Sequence, residues 1–503
     1  IDFGGNRVDT IGGFEGDGTI KLGTSVNIQL SNGPYVFGGR CTGTLKILGT
    51  ASSENRHFLL TSTNAFAETT ILPSAVSGHR LLQFAPGVGE FVLGSYTPAA
   101  GQDILLEDTD GNPVTVKMAL GNSSTKTVSG SGNFTYTGTG TATYQANALD
   151  HTGWINVASG TVKLGNSAES SDAPLEQYAG FGLLSSSASL QFLNAAKVTI
   201  DQPIEGDGLL VAAGPADFPA FRRQTGYIYV SSDVTMDAPA AKQSSVDVQG
   251  NGHLTLNGGT IEGLGSGRDA HVNLTGTSEG ARISVTNGAM LKAKSLTVRT
   301  VEVVDSTLHL TCNALGECGT TEKPQTLTFD NATVIIGDGA SDSADTFLGL
   351  YDSTVTHRRA YVKEGGVTFD VNADRMPYGC AIRQFESGTE TGVLDGGITV
   401  KGLGWLRFDG SPTVTGPIRL LGAESKIGVA NLTTVGDLVL GTAGLTQNSA
   451  TLATGADSTV SLIGATTIQP AENGLYTFGP EGAAKDGVFT REQGGVLFVR
   501  ATK

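Results

Sequence analysis

One local pattern recurs four times between positions 280 and 360, and it restricts the fold more than any other feature of the chain. The segments are ISVTNGAML, VEVVDSTLHL, LTFDNATVII and LGLYDSTVTH. Each runs as an alternating strand, then Asn or Asp, then a small residue, Thr or Ala, and an aliphatic residue. The markers are Asn287, Asp305, Asn331 and Asp352, separated by 18, 26 and 21 residues. Asn and Asp tolerate the left-handed backbone conformation, and their side chains bond the local backbone. One such residue every ~20 positions predicts a chain that turns the same corner once per coil. The alternation on either side predicts that one face of each strand points inward.

A period near ~20 predicts a parallel β-helix, in which each strand pairs with its equivalent one coil later, ~4.8 Å away. Further coils are expected in HLTLNGGTIEG at 253–263, with Asn257 and Gly258 at the corner, in 397–422 and in 451–468. Residues 51–125 are less regular and predict longer loops or insertions. A short helix is expected there around Ala65–Thr69, and a hairpin turning at Asp110-Gly111. The reading is one continuous β-helix over 1–503. Its possible subdivision is a decorated part at 1–125, middle coils at 126–240 and regular coils at 241–503.

Composition agrees. Charged residues are 16% of the chain and glycines number 71, a mixture that suits short strands and tight turns better than helices. The net charge of −16 argues against nucleic acid or an anionic membrane as a partner. No apolar run approaches the ~20 residues of a membrane helix, so direct membrane insertion is not expected. The chain begins at Ile1 without a signal segment and is expected to be a portion of a longer precursor.

Cys312 and Cys318 flank NALGE, a loop that a disulfide can close if the Cβ atoms face each other. The alternative is two free thiols. On a straight solenoid Cys41 and Cys380 would lie ~70 Å apart. They are then free and buried, or they link neighbouring molecules.

Two regions go beyond general β-helix character. IDFGGNRVDTIGGFEGDGTIKLG at 1–23 places Asp2, Gly5, Asn6, Thr10, Ile11, Gly12, Gly13, Gly16 and Gly18 in a glycine-spaced pattern. GSGNFTYTGTGTATYQANALDHTGWINVASGTVKLG at 130–165 is a second such unit, marked by Asn147, Thr152, Gly153, Ile155, Val157, Gly160, Thr161, Val162, Leu164 and Gly165. Both resemble autotransporter-associated β-strand repeats of bacterial surface-protein passengers. His151 stands where that repeat commonly has Tyr. The resemblance covers about a tenth of the chain. It implies a right-handed parallel β-helix exported across a Gram-negative envelope, and it implies no particular catalytic activity.

The residues with chemical potential are few. GTSEG around Ser278 matches a nucleophile elbow, but a strand follows where that motif needs a helix. Asp338, Asp342 and Asp345 cluster in GDGASDSAD and are weak candidates for a calcium ion, against a solvated loop. EDTDGN at 107–112 places its Gly too early for a calcium loop. Asp201, Glu205 and Asp207 share one segment and read as a turn, not as acids on facing coils. Arg222-Arg223 and His357-Arg358-Arg359 can pair with acids on the next coil or meet an anionic glycan. Trp154 and Trp405 either stack on a sugar or cover the core. No catalytic or cofactor-binding residues are expected, and no cofactor apart from possible Ca2+ at the Asp338 cluster.

The function expected is an extracellular structural or surface β-helix protein, a stalk, coat, fibre or adhesin that self-associates. The alternatives are a polysaccharide-active enzyme, lyase or glycoside hydrolase, and a glycan-binding adhesin or tailspike-like protein. The location expected is the exterior or outer surface of a Gram-negative-type bacterium.

Overall fold

The structure is a computed structural model. It describes residues 1–3, 10–31, 33–48, 56–74, 80–97, 99, 102–166, 172–219, 227–237, 243–245, 247–262, 270–274, 281–310, 324–336, 358–371, 385–402, 405–408, 413–421, 424–429, 432–434, 437–440, 449–454, 459–462, 466–468, 475–479, 488–491 and 497–499. The chain forms two compact units, Ile1–Ser232 and Asp233–Lys503.

In the first unit a coil has three strands, as Asn133–Tyr136, Thr141–Tyr144 and Leu149–His151 show. The next coil lays Trp154–Val157 on the first of these and Gly160–Leu164 on the second, both parallel and in register. Phe134 thus meets Ile155, and Val162 lies beside Ala142. Alternate residues point inward: Ile155, Val157, Val162 and Leu164 are fully buried, as the sequence pattern predicts. Each such side chain is worth roughly 1.5–3 kcal/mol. The corner between the two strands is Gly160, at φ +68°. A methyl group there would fall 2.5 Å from the carbonyl oxygens of Gly138 and Gly140 on the preceding coil, so the corner is closed to any larger residue.

The same parallel stacking runs from Thr10–Ile11 and Thr19–Gln29 through Arg40–Leu48, Phe66–Pro73, Glu90–Tyr96 and Thr115–Leu120. Residues 51–125 therefore contribute strands to the same sheets. The short helix expected at Ala65–Thr69 is not formed. A turn at 63–65 leads into the strand Phe66–Pro73, whose side chains alternate between buried and exposed. Pairing with Arg40–Leu48 and burial of Phe66 and Ile71 override the local helix preference of Ala and Glu. The hairpin turn at Asp110-Gly111 is present, with Glu107 bridged antiparallel to Pro113 and Gly111 at φ +85°. Asp108 anchors it by accepting from the backbone amides of Asp110 and Asn112, both at 2.9 Å. Those donors, the Asn112 amide foremost, hold its carboxyl below the usual range.

Aromatic rings line the interior of this unit. Phe14, Phe37, Phe58 and Phe66 cluster with centroids 4.9–6.3 Å apart. Further along, Phe134, His151, Tyr178, Phe181, Phe192 and Phe218 form a column, each ring 5.2–6.5 Å from the next. Short 3-10 turns at Ala146–Ala148 and Leu175–Gln177 round off its corners.

In the second unit the marker residues behave as their spacing predicts. Arg282–Thr286, Thr300–Val304 and Gln325–Asp330 stack in parallel, with Arg282 opposite Thr300 and Thr300 opposite Thr326. Met290–Val298, Thr307–Leu310 and Ala332–Ile336 stack beside them. Asn287, Asp305 and Asn331 sit at the corners with φ of 55°, 49° and 47°. Asp352 lies outside the described residues. The corners are tied to one another. The Asn331 amide donates to Asp305 Oδ1 at 2.7 Å, that of Asn287 to Asn257 Oδ1, and that of Asn257 to Asp237 Oδ1. Gly258 follows Asn257 at φ +75°, as expected for that coil. Stacking continues through Val367–Val371, Ile398–Gly402 and Ile418–Leu420, and through Glu424–Val429, Ser449–Thr454 and Leu475–Gly479. All of this defines a parallel β-helix of the all-β class.

Candidate functional site

An inward position on these coils is filled by a neighbour's apolar side chain, so chemistry belongs to the outward positions. The outward column through Trp154–Val157 contains an irregularity. Trp154 and Asn156 are opposite Gly180 and Gly182 of the strand Gly180–Leu183, and Gly182 is opposite Glu205 of Ile204–Gly206. Two glycines at alternate positions leave the strand Gly180–Leu183 without outward side chains. The benzo ring of Trp154 reaches across into that space: a methyl group at Gly180 would come within 2.7 Å of its Cη2 and Cζ3 atoms. Asn156 leans over Gly182 in the same way.

Beyond them lies a hollow of about 430 Å³, lined by Trp154, Asn156, Leu184, Glu205 and Asp207 with the backbone of 182–183 and 206. Trp154 is half-buried, Glu205 and Asp207 are exposed, and Leu184 is 59% exposed. Glu205 lies on a strand rather than in the loop that its glycine neighbours suggest, and Gly206 at φ +95° bends the chain so that Asp207 follows it to the rim. Asp201, the third acid of that segment, is exposed and does not line the hollow.

A second polar cluster crosses four coils of the other unit, and sequence inspection missed it. Asp233, His253 and Arg282 are register partners, and Ser284 and Glu302 form the adjacent outward column. His253 Nε2 is 3.0 Å from Ser284 Oγ, and its Nδ1 is 3.7 Å from Asp233 Oδ1. These are the residue types of an acyl-transfer triad. The protons run the wrong way for one. Arg282 Nη2 donates to His253 Nδ1 at 3.1 Å, so the imidazole proton sits on Nε2 and is donated to Ser284. Ser284 in turn donates to Glu302 Oε2 at 2.9 Å. Burial and the Arg282 charge both push the His253 pKa down. The imidazole is therefore not the base for the Ser284 hydroxyl, whose proton goes to Glu302, and the cluster works as a ladder that ties coils together.

His151, which belongs to the repeat-like stretch, is buried in the aromatic column between Phe134 and Tyr178. Neither ring nitrogen meets a partner with hydrogen-bond geometry. Burial pushes its pKa down to about 4, outweighing the nearby Gly132 backbone and Asp150. Cys41 is a free, fully buried thiol whose pKa burial pushes up to about 12.

The side chains of Trp405 and Arg358 and the residues Arg222, Arg223, Ser278, Cys312, Cys318, Asp338, Asp342, Asp345, His357 and Cys380 lie outside the described residues. Arg359 is exposed on the strand Arg358–Val362. Comparison with protein-family models, with curated proteins and with solved structures finds no match to this chain.

Proposed function

We propose that the chain is an extracellular structural β-helix: a scaffold at a bacterial surface that presents its outer face and associates with copies of itself. The observation that carries this reading is the division of labour across the coils. Apolar and aromatic columns fill the inside, whereas ion pairs on the outside serve to join one coil to the next. Lys117 pairs with Glu90 at 2.9 Å, Lys126 with Asp150 at 2.6 Å and Lys197 with Asp217 at 2.8 Å. Arg80 clamps Asp103 with two bonds of 3.1 and 3.0 Å. Such side chains maintain a scaffold, and Cys41 and His151 are buried. A parallel β-helix in general ends in unpaired strand edges, which would give a route to self-association. Antibody labelling of intact producing cells, with sedimentation of the purified chain over a concentration range, tests the reading. Surface labelling and concentration-dependent oligomers are expected. Labelling only after lysis, or a monomer at every concentration, would refute it.

A second reading, recognition of a glycan on the outer face, is favoured by the hollow beside Trp154.

A further inference from the structure

We infer that the hollow between Trp154, Asn156, Leu184, Glu205 and Asp207 is a binding site for a neutral oligosaccharide. The inference rests on the glycan reading and is independent of self-association. A pyranose ring presents apolar C–H patches on its faces and hydroxyls around its rim. The hollow offers the complement of both. Trp154, held by its reach across Gly180, and the exposed Leu184 give two apolar surfaces. Indole is well suited to such a role, because it combines a large apolar face with low conformational freedom.

The rim supplies the polar partners. The Asn156 side chain offers both a donor and an acceptor, and the Glu205 and Asp207 carboxylates accept from sugar hydroxyls. Their volume of about 430 Å³ falls in the lower part of the ~300–1,000 Å³ range of small-molecule sites.

Charge decides between classes of glycan. Two carboxylates line the hollow without a Lys, Arg or His among its lining residues, and the whole chain carries −16. Uronate or sulfated chains would be repelled, and an uncharged saccharide meets no such barrier. The site is also absent from neighbouring coils for a structural reason. The coil before Trp154 carries Asn133 and Thr135 at the positions that Gly180 and Gly182 take in the coil after it, so its outward positions hold side chains.

The chain has two tryptophans, so a W405F variant leaves Trp154 as the only indole reporter. Its emission is titrated with cellohexaose, maltohexaose, laminarihexaose and mannohexaose, with polygalacturonate as the anionic probe, up to about 10 mM because a single shallow site binds at roughly the millimolar level. A saturable change with at least one neutral probe is expected, and none with polygalacturonate. Calorimetry on Trp154→Ala and Gly182→Val should show affinity for that probe reduced by about tenfold or more, which equals ~1.4 kcal/mol. Glu205→Gln and Asp207→Asn alter exposed residues only; they should keep the fold by circular dichroism and weaken the neutral probe about threefold, a loss of several tenths of a kcal/mol. Binding by none of the neutral probes, unchanged affinity in Trp154→Ala, or tighter binding of polygalacturonate would each overturn the proposal. Sedimentation of the same samples reports the scaffold reading separately, since oligomers that form without binding sugar count against the site alone.

Discussion

Replacing His151 by Phe should make the protein both more stable and less sensitive to acid. In the folded chain burial holds the imidazole at about 4, whereas an exposed histidine titrates near ~6.5. A group whose folded pKa is lowered favours the unfolded state as it takes up a proton. The penalty is absent well above pH ~6.5, grows as pH falls below that value and is complete below pH ~4. At ~1.36 kcal/mol per pH unit the full loss is ~3 kcal/mol, of which about 2 kcal/mol is felt by pH 5. A second contribution is independent of pH. Neutral imidazole keeps one N–H, which has the Gly132 backbone nearby but no partner of good hydrogen-bond geometry; a buried donor left unsatisfied costs about 1–3 kcal/mol. Phe fits the column between Phe134 and Tyr178 without that donor. Urea unfolding of wild type and His151→Phe, followed through Trp154 three residues away, measures both terms. The variant should be more stable by about 1–3 kcal/mol at pH 7.5, and the gap should widen by about 2 kcal/mol at pH 5. An equal gap at both pH values would refute the titration argument, and a destabilised variant at pH 7.5 would refute the packing argument.

Asp395 is buried and accepts from the amides of Gly397 and Gly416 at 2.9 and 2.8 Å and from the amide and hydroxyl of Thr415 at 2.7 and 2.9 Å. Asp395→Ala should cost about 3–5 kcal/mol, with hydrogen exchange of those three amides rising first. Asn331→Val places a β-branched residue at φ 47° and removes the bond to Asp305, for a loss of about 2–3 kcal/mol in urea unfolding. Asn331→Gly should lose only about 1 kcal/mol, because it restores the backbone part. Cys41, at about 12 and fully buried, should stay unmodified by iodoacetamide in the folded protein and react once unfolded, as peptide mapping by mass spectrometry reports.

The corners were legible in the sequence because a left-handed backbone leaves a local mark: Asn287, Asp305 and Asn331 stand where few other residues can. The inward columns were legible for the same reason, since alternation at Val157, Val162 and Leu164 is written within one strand. The helix expected at Ala65–Thr69 failed because its decisive partner, Arg40–Leu48, lies a coil away. The two outward clusters were illegible on the same grounds. Trp154 matters because Gly180 is its register partner, and Ser284 because His253 is one coil earlier. Nothing near either residue announces that partner. Spacing alone marks Glu205 and Asp207 as a turn, and a three-residue strand that follows Pro203 and ends on Gly206 carries too little alternation to be read otherwise.

The ion pairs on the outer faces have a further consequence. Lys117 with Glu90, Lys126 with Asp150 and Lys401 with Asp370 each reach to the adjacent coil, as do the corner amides of Asn257, Asn287 and Asn331. Among the described residues, these contacts close within one or two coils of chain. A segment emerging from a narrow opening can fold onto the coil before it without waiting for distant sequence, and each new coil makes retreat more costly. If the chain is exported, as the proposed function holds, folding on the far side of the barrier would itself act as the ratchet that draws the rest of the chain through.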